Sequence, residues 1–577
     1  IAPFVSQFES YGSSIVSHLA NNRIQHWDIE IRMLAAQSLS IIAKQHKELI
    51  NTDILASICS ACESYDIDIK HGGYEALANI LWVMDVDVEI LKDLLSLSED
   101  CQSDEIKCSF IKMLSAAAKR DIEVPNLTKV LHEWLLSDSQ SVQKSAIESL
   151  IFLNNGDKKY LDEKFFSDLL NDVAQPGVAS SLSAFPLWYI KDHIDQIVEE
   201  ICKLLTDDKT AIPTKNALLE SVKKISEFTT IDIIIKILKI GLNDRTTTKR
   251  RDEGSTVRAT SLKVLIKLLP NEQIANSLIA DVLQLCLDRI SGNRDLALGV
   301  LKKIVETTEN LKNKNELKFA VDEKADDFKN FASLISIDDY SSIICENLIL
   351  WVGAYAPELS QRASQALIYF VRIKQENATL IGKLINSLFV KYRTNIQFTN
   401  SLFAFIPKIL NEGLFRGQIL FEFTKDFLNT CKAFLKKVTF RKLNIIYPTI
   451  SWLTVLCKGD QRKQSFSILA PLFVCEYPVI RDKAAISLNE AFDVESIFDD
   501  DEENDDDDDD DDNNDFVEKV QNILTSKNWK DDFDQCAEGV TDLCSVFGVD
   551  VPVIEQKEVK PQDQRKFTYG NLVKDAL

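Results

Sequence analysis

The chain has 577 residues with only 17 glycines and 13 prolines, and such scarcity of turn-forming residues excludes a mainly β fold and predicts an all-α protein. The formal net charge is −23, yet residues 493–515 alone hold sixteen acidic side chains, and without them the net charge is −7. A surface of that kind argues against nucleic-acid binding through a basic stripe and against docking on anionic lipid.

The first clear helix is predicted at Gln25–Ala43. Its apolar residues at three- and four-residue steps are Ile31, Leu34, Ala35, Leu39 and Ile42. This spacing predicts one apolar stripe, and the small alanine side chains would let a neighbouring helix approach closely. Arg32 follows the first apolar position. In helical-hairpin repeats, a basic residue there commonly spans to a carboxylate or to carbonyls of the next repeat.

The position of Arg32 recurs along the chain. Steps of 38, 37 and 36 residues lead from it to Lys70, Lys107 and Gln143. Steps of 72, 43 and 36 then lead to Lys215, Arg258 and Arg294, and later steps of 79 and 40 separate Arg362, Arg441 and Arg481. A period of about 36 to 43 residues, with two helices per unit, is typical of HEAT and armadillo repeats. The sequence therefore predicts a HEAT/armadillo-like right-handed α-solenoid, with a structural ladder formed by Arg32, Lys70, Lys107, Gln143, Lys215, Arg258, Arg294, Arg362, Arg441 and Arg481.

The twelve cysteines are scattered singly along predicted helices, apart from an isolated CxxC at Cys59 and Cys62. A zinc site would need two more ligands at a suitable spacing, so we expect buried, reduced thiols and no metal or cofactor. The four tryptophans near predicted hairpin ends are expected to pack in the core or between repeats; they are Trp27, Trp82, Trp134 and Trp188.

The chain is predicted to comprise five segments. Residues 1–305 are helical repeats, 306–340 a polar boundary, and 341–498 a more aromatic helical module. Residues 499–515 are almost entirely acidic and are predicted to form a disordered loop, because such a block cannot bury apolar surface and repels itself. Residues 516–577 are predicted to form terminal helices and a tail.

No catalytic residues are predicted. Phosphate-binding loops, nucleophile elbows and HExxH motifs are absent from the sequence, so a shaped repeat surface is expected to carry the function. The longest uncharged run, residues 445–457, is too short to cross a bilayer, and no membrane insertion is expected.

The most cationic short patch is the polar stretch at residues 245–254. Its sequence, RTTTKRRDEG, is predicted to be a loop between two helices. It could be a solvated loop, or it could contact an acidic partner surface. The candidate contact residues in it are Arg245, Lys249, Arg250 and Arg251.

Four blocks resemble the tubulin-folding cofactor D family, in the same order along the chain. HWDIEIRMLAAQSL at His26–Leu39 is similar to the family's His-Trp-Asp repeat, and HGGYEAL at His71–Leu77 to its His-Gly-rich helix start. YPVIRDKAA at Tyr477–Ala485 resembles its C-terminal module, and Trp529 with LCSVFGVDVP at Leu543–Pro552 resembles its ending. The family's chain is much longer, so we expect an N-terminal portion of the solenoid to precede Ile1.

The resemblance implies a non-enzymatic chaperone of the cytoplasm and the microtubule cytoskeleton. Its implied partners are β-tubulin, cofactors C and E and an Arf-like small GTPase, with which it joins and separates α/β-tubulin. That assembly stimulates GTP hydrolysis by tubulin, and the catalytic arginine is credited to cofactor C. Within YPVIRDKAA, Arg481 is expected to be structural, while Asp482 and Lys483 are candidate partner contacts.

Two other functions are compatible with the repeats. An importin-like nuclear transport receptor would also be a solenoid with an acidic interior loop, and it would bind Ran-GTP and basic cargo. A scaffold for a phosphatase or a similar enzyme would show the same periodicity.

Overall fold

The computed structural model describes residues 1–96, 103–153, 160–248, 251–322, 328–354, 356–436, 438, 442–459, 461–493, 508–531 and 533–552. The described residues form helices, turns and one isolated β-bridge between Thr247 and Asp252. The chain divides into two compact units, Ile1–Leu278 and Ile279–Leu577. Among the described helices, none combines the length and hydropathy that a bilayer span requires.

The helices of the first unit, in chain order, are α1 Ala2–Val5, α2 Glu9–His18, α3 Ile29–Gln45, α4 Thr52–Cys62, α5 Ile67–Leu81, α6 Val88–Leu91, α7 Asp104–Lys119, α8 Leu127–Leu135, α9 Gln140–Phe152, α10 Glu163–Asn171, α11 Pro176–Ser181, α12 Leu187–Asp192, α13 Ile194–Thr206, α14 Ile212–Ile225, α15 Ile231–Leu242 and α16 Gly254–Leu268. A π-helical turn at Leu19–Arg23 follows α2. Helix α17, Glu272–Cys286, contains the boundary between the units.

The helices of the first unit pack in two layers. In one layer α3, α5, α7, α9, α11, α14 and α16 pack side by side in that order. In the other, α8 contacts α10, and α13 contacts α15. Because each helix of the first layer contacts the next but one or two in the chain, the unit is a stack of helical hairpins with one continuous core.

The helices of the second unit are α18 Ser291–Thr307, α19 Lys314–Val321, α20 Lys329–Ser333, α21 Asp338–Val352, α22 Pro357–Ile373, α23 Gln375–Tyr392, α24 Ile396–Asn411, α25 Gly417–Leu435, α26 Leu443–Leu456, α27 Arg462–Phe473, α28 Pro478–Asp493, α29 Asp508–Ser526 and α30 Phe533–Phe547. Here α21, α24, α26 and α28 form one layer, and α23, α25, α27 and α30 the other. The predicted all-α, HEAT/armadillo-like architecture is therefore confirmed in both units. The predicted polar boundary, 306–340, contains the short helices α19 and α20 and lies inside the second unit.

The buried face of α3 differs from the predicted stripe at one position. Ala35, Ala36, Leu39 and Ile42 are buried as expected, but Leu34 is 62% exposed. At roughly 100° per residue, Leu34 lies about 140° around the helix from Leu39, so it points away from the core. The alanine pair allows the close approach of α5.

The acidic block also differs from its prediction in part. Residues 499–507 lie outside the described residues, whereas Asp508 begins α29, and the helix continues through Asp515. Residues 508–515 belong to this helix rather than to a loop, and the predicted disorder of the acidic block stays a prediction. The apolar residues that follow anchor this helix, because Val520 and Leu524 are buried.

Candidate partner-binding surfaces

The ladder residues lie in the first turn of their helices. Arg32, Lys70, Lys107, Gln143, Lys215, Arg294 and Arg481 are each the fourth residue of a helix. In four cases the side chain donates to the carbonyl oxygen six residues earlier. These bonds, donor first, are Arg32 to His26 at 2.8 Å, Gln143 to Ser137 at 2.6 Å, Arg294 to Asp288 at 3.0 Å and Arg481 to Cys475 at 2.7 Å. In these four helices the ladder residue therefore ties the incoming loop to the start of its own helix.

Arg32 also reaches the next repeat. Its Nη1 donates to the Trp27 carbonyl at 3.0 Å and forms a 2.7 Å ion pair with Oδ1 of Asp68 in α5. Its Nε donates to Nδ1 of His71 at 3.2 Å. A planar guanidinium can serve all these acceptors at once, because its donors are fixed in a fork.

His71 is held as a neutral acceptor. Burial and the nearby cations Arg32 and Lys112 lower the pKa of His71 from its ordinary 6.5, while Glu75 and Glu105 oppose the shift. A proton on Nδ1 would place a donor against the Arg32 donor. The folded state therefore disfavours protonated His71.

This arrangement predicts a pH-dependent loss of stability. His71 binds a proton less readily in the folded state than in the unfolded state. The free energy of unfolding should therefore fall as the pH drops below 6.5, by up to about 1.4 kcal/mol per pH unit. The fall should end once the pH is below the lowered pKa of the folded state. His71→Gln keeps an acceptor and does not titrate, so its thermal melting should depend less on pH between pH 7 and about pH 5. Equal pH slopes for parent and variant would contradict this account.

The remaining ladder residues are less uniform. Lys70 and Lys107 are half-buried, and Arg441 lies outside the described residues. Arg362 is the sixth residue of α22 and is exposed, unlike Arg32. The buried stripe of α22 runs through Ala363, Ala366, Leu367 and Phe370, and Arg362 lies outside it.

A buried ionic network holds the two ends of the predicted basic loop, at Asp244 and Asp252. Lys215 in α14 forms a 2.9 Å ion pair with Asp244, and both side chains are almost fully buried. Arg258 in α16 donates to the Asp244 carbonyl at 2.8 Å and bridges both carboxylate oxygens of Asp252 at 3.2 and 2.7 Å. Although burial works in the opposite direction, hydrogen bonds from Lys215 and Thr246 lower the pKa of Asp244.

The described part of the loop between α15 and α16 is therefore fixed at its base, where Asp244 is buried. The Gly254 amide donates to the Thr246 carbonyl at 2.8 Å, and a Cβ at Gly254 would lie 2.4 Å from Oδ1 of Asp244. Arg245 and Arg251 are exposed, and Arg251 pairs with Glu253 at 3.4 Å. The other two candidate cations, residues 249 and 250, lie outside the described residues.

The second candidate surface is formed by Asp482 and Lys483 at the start of α28. Arg481 beside them is buried, and both are half-buried. Arg481 donates to the carbonyls of Trp529 at 3.2 Å and Asp531 at 2.7 Å as well as to Cys475. Asp482 forms a 3.2 Å ion pair with the exposed Lys530. Lys483 is therefore better placed than Asp482 to contact a partner.

The CxxC at Cys59 and Cys62 lies on the buried face of α4. Burial, with a smaller contribution from Glu63, raises the pKa of the Cys59 thiol to about 11, and burial raises the pKa of Cys62 as well. Neither is a reactive thiolate at neutral pH. Among the described residues, no three His, Cys, Asp or Glu side chains are grouped as a metal site would need.

Two exposed aromatic residues were not among the predicted surface residues. Trp27, expected to be packed, is 77% exposed, and Tyr65 is fully exposed. The signal was in the sequence: WDIEIR at Trp27–Arg32 and YDIDIK at Tyr65–Lys70 match position by position at a spacing of 38 residues. Each aromatic precedes an Asp that caps a helix, so it lies outside the helical packing.

Sequence comparisons connect the chain to known proteins. Residues 276–442 match the family model described as tubulin folding cofactor D C terminal. The match begins before the predicted C-terminal module at 341 and ends before the YPVIRDKAA block. The tubulin-folding cofactor D of Schizosaccharomyces pombe is 25% identical over 342 residues, which cover 52% of this chain and 30% of that protein. The tubulin-specific chaperone D of Dictyostelium discoideum is 30% identical over 82 residues, 14% of this chain and 6% of that protein.

The chain is also similar, at low TM-scores, to solved structures. Yeast importin-β (Kap95p) has a TM-score of 0.40 at 12% identity over 84% of this chain and 69% of that one. Kap121p bound to RanGTP has a TM-score of 0.39 at 15% identity, over 94% and 54%. We draw nothing about function from similarity at this level. The resemblance to tubulin-folding cofactor D rests on the sequence matches and is confirmed by them, with its most specific support in the C-terminal domain match at residues 276–442.

Proposed function

We propose that this chain acts as a non-enzymatic tubulin-folding cofactor that binds β-tubulin. In this proposal it joins and separates α/β-tubulin together with cofactors C and E and an Arf-like small GTPase. Any stimulation of GTP hydrolysis belongs to that assembly. The proposed location is the cytoplasm, in association with microtubules.

The observation that carries the proposal is the match of residues 276–442 to the cofactor D C-terminal domain. The architecture supports it, because stacked hairpins present an extended surface to a folded partner. In the first unit, the loop bearing Arg245 and Arg251 rests on the buried Lys215–Asp244 pair, which fixes its base. A positioned basic loop suits an acidic partner surface, because charge complementarity speeds encounter and fixes register.

The test is retention of β-tubulin by the intact chain in pull-down and gel filtration. We expect Arg245→Glu/Arg251→Glu to weaken β-tubulin binding about tenfold. As the salt concentration is raised, the parent should lose binding more steeply than this variant, because its ionic contacts are screened. Lys144→Glu is a matched control, because Lys144 is 78% exposed and paired with Glu148, much as Arg251 is 79% exposed and paired with Glu253. The control should bind like the parent.

Two results would count against the proposal. A folded parent that retains no β-tubulin would remove its central claim, and binding of Ran-GTP instead would favour the nuclear transport receptor. If the parent binds but Arg245→Glu/Arg251→Glu binds equally well, the function stands and the basic loop is not the contact. Asp482→Lys/Lys483→Glu then tests the second surface.

A further inference from the structure

Two neighbouring repeats expose the same apolar residues side by side. The nitrogen Nη1 of Arg32 is 3.0 Å from the Trp27 carbonyl oxygen and 2.7 Å from Oδ1 of Asp68. One guanidinium nitrogen thus joins the loop before α3 to the first turn of α5. The segments that bear Trp27 and Tyr65 therefore lie next to each other, and their spacing is fixed by a buried arginine.

The exposed residues of these segments are Trp27, Ile29, Tyr65 and Ile67, which we call the aromatic edge. Large exposed apolar side chains scattered singly are ordinary, but four of them at matching positions in two adjacent hairpins are a candidate interaction site. Tryptophan and tyrosine are the side chains most often found as anchors in protein interfaces. The aromatic edge is rigid as well, because Asp28 and Asp66 cap the helices that follow it.

The charged side chains at residues 27–31 and 63–69 are all acidic, and each window is followed by a ladder cation, the buried Arg32 or the half-buried Lys70. Residues 27–31 and 63–69 contain five carboxylates and no lysine or arginine. Asp68 is neutralised by Arg32, while Glu30, Glu63 and Asp66 are exposed. An apolar surface framed by uncompensated carboxylates is complementary to apolar side chains flanked by cations.

We propose that the aromatic edge is a docking site for a basic segment of a partner protein, one in which leucine or aromatic side chains alternate with lysine or arginine. Its apolar side chains contact Trp27 and Tyr65, and its cations pair with Glu30, Glu63 and Asp66. The site is in the first unit, apart from the basic loop at residues 245–253. It does not depend on the proposed handling of tubulin.

The test uses 19F NMR of the full chain labelled with 5-fluorotryptophan. The Trp27 resonance is assigned by its loss in Trp27→Phe. The probe is a synthetic peptide that alternates lysine with leucine, compared with the same peptide carrying glutamate in place of lysine. We expect the lysine peptide to shift the Trp27 resonance saturably and the glutamate peptide to leave it unchanged. The readout reports on the surroundings of Trp27.

Variants separate the aromatic edge from general attraction to an acidic protein. Tyr65→Ala and Glu30→Lys/Glu63→Lys alter exposed side chains and should each weaken the Trp27 titration at least tenfold. Phe421→Ala removes an exposed aromatic residue in the second unit and should leave the titration unchanged. The proposal is overturned if saturating lysine peptide leaves Trp27 unmoved, if the glutamate peptide acts equally, or if the charge reversal has no effect. We expect Tyr65→Ala to retain β-tubulin like the parent. Loss of peptide binding in this variant would then test the aromatic edge without testing the proposed function.

Discussion

Replacing Gly72 with alanine is expected to destabilise the first unit by more than about 3 kcal/mol, because overpacking against backbone cannot be relieved by a rotamer change. A Cβ at Gly72 would lie 1.7 Å from the carbonyl oxygen of Ile24 and 3.1 Å from Cδ of Arg32. Helix α5 would have to move away from α3, and the Arg32 bonds to Asp68 and His71 would lengthen with it. Thermal melting and hydrogen exchange of α3 to α7 measure the effect.

Gly299→Ala in α18 is the matched control. Gly299 is an interior helical glycine, and a Cβ added to it would meet no atom within 4 Å, so alanine should stabilise α18 by about 0.5 to 1 kcal/mol. A Gly72→Ala protein that melts like the parent would contradict the close packing of α5 on the Ile24 turn.

Replacing Arg481 with alanine should release the C-terminal helices. The substitution removes the donor from three carbonyls, those of Cys475, Trp529 and Asp531, and leaves a cavity where the side chain was buried. The expected cost is about 3 to 5 kcal/mol. Two of the carbonyls belong to the linker between α29 and α30, so the loss should be local to those helices.

Hydrogen exchange resolved by peptide is the appropriate measurement, because a chain of two units need not unfold in one step. We expect protection in α30 to fall at least tenfold in Arg481→Ala while α14 to α16 are unchanged. Lys483→Ala, which removes a half-buried cation two residues along, should leave protection in α30 as it is in the parent. Arg481→Lys should behave like the alanine variant, since one ammonium cannot reach three separated carbonyls. Full protection in both Arg481 variants would show that packing of Trp529 holds the linker without the arginine.

For the candidate surfaces, the sequence predicted only those features that depend on residues close together in the chain. The position of Arg481 and its bond to Cys475 follow from a fixed offset within one turn and one loop. The loop at residues 245–253 was visible from its composition, but the Lys215–Asp244 pair beneath it joins residues 29 apart in the chain. No periodic pattern encodes that pairing.

The sequence by itself determined the all-α fold and the length of the repeat, because apolar spacing and turn-forming residues act over a few residues. The start of α3 was less well determined, since the predicted helix begins at Gln25 and the observed one at Ile29. Only the tertiary structure decided which side chains are covered. Trp134 is buried while Trp27 is exposed, although the sequence places both near predicted hairpin ends. Arg32 is buried while Arg362 is exposed, although both were predicted to belong to the ladder. Burial depends on whether a neighbouring hairpin, some 36 to 43 residues away in the chain, packs over that face, and a residue's own segment does not encode this.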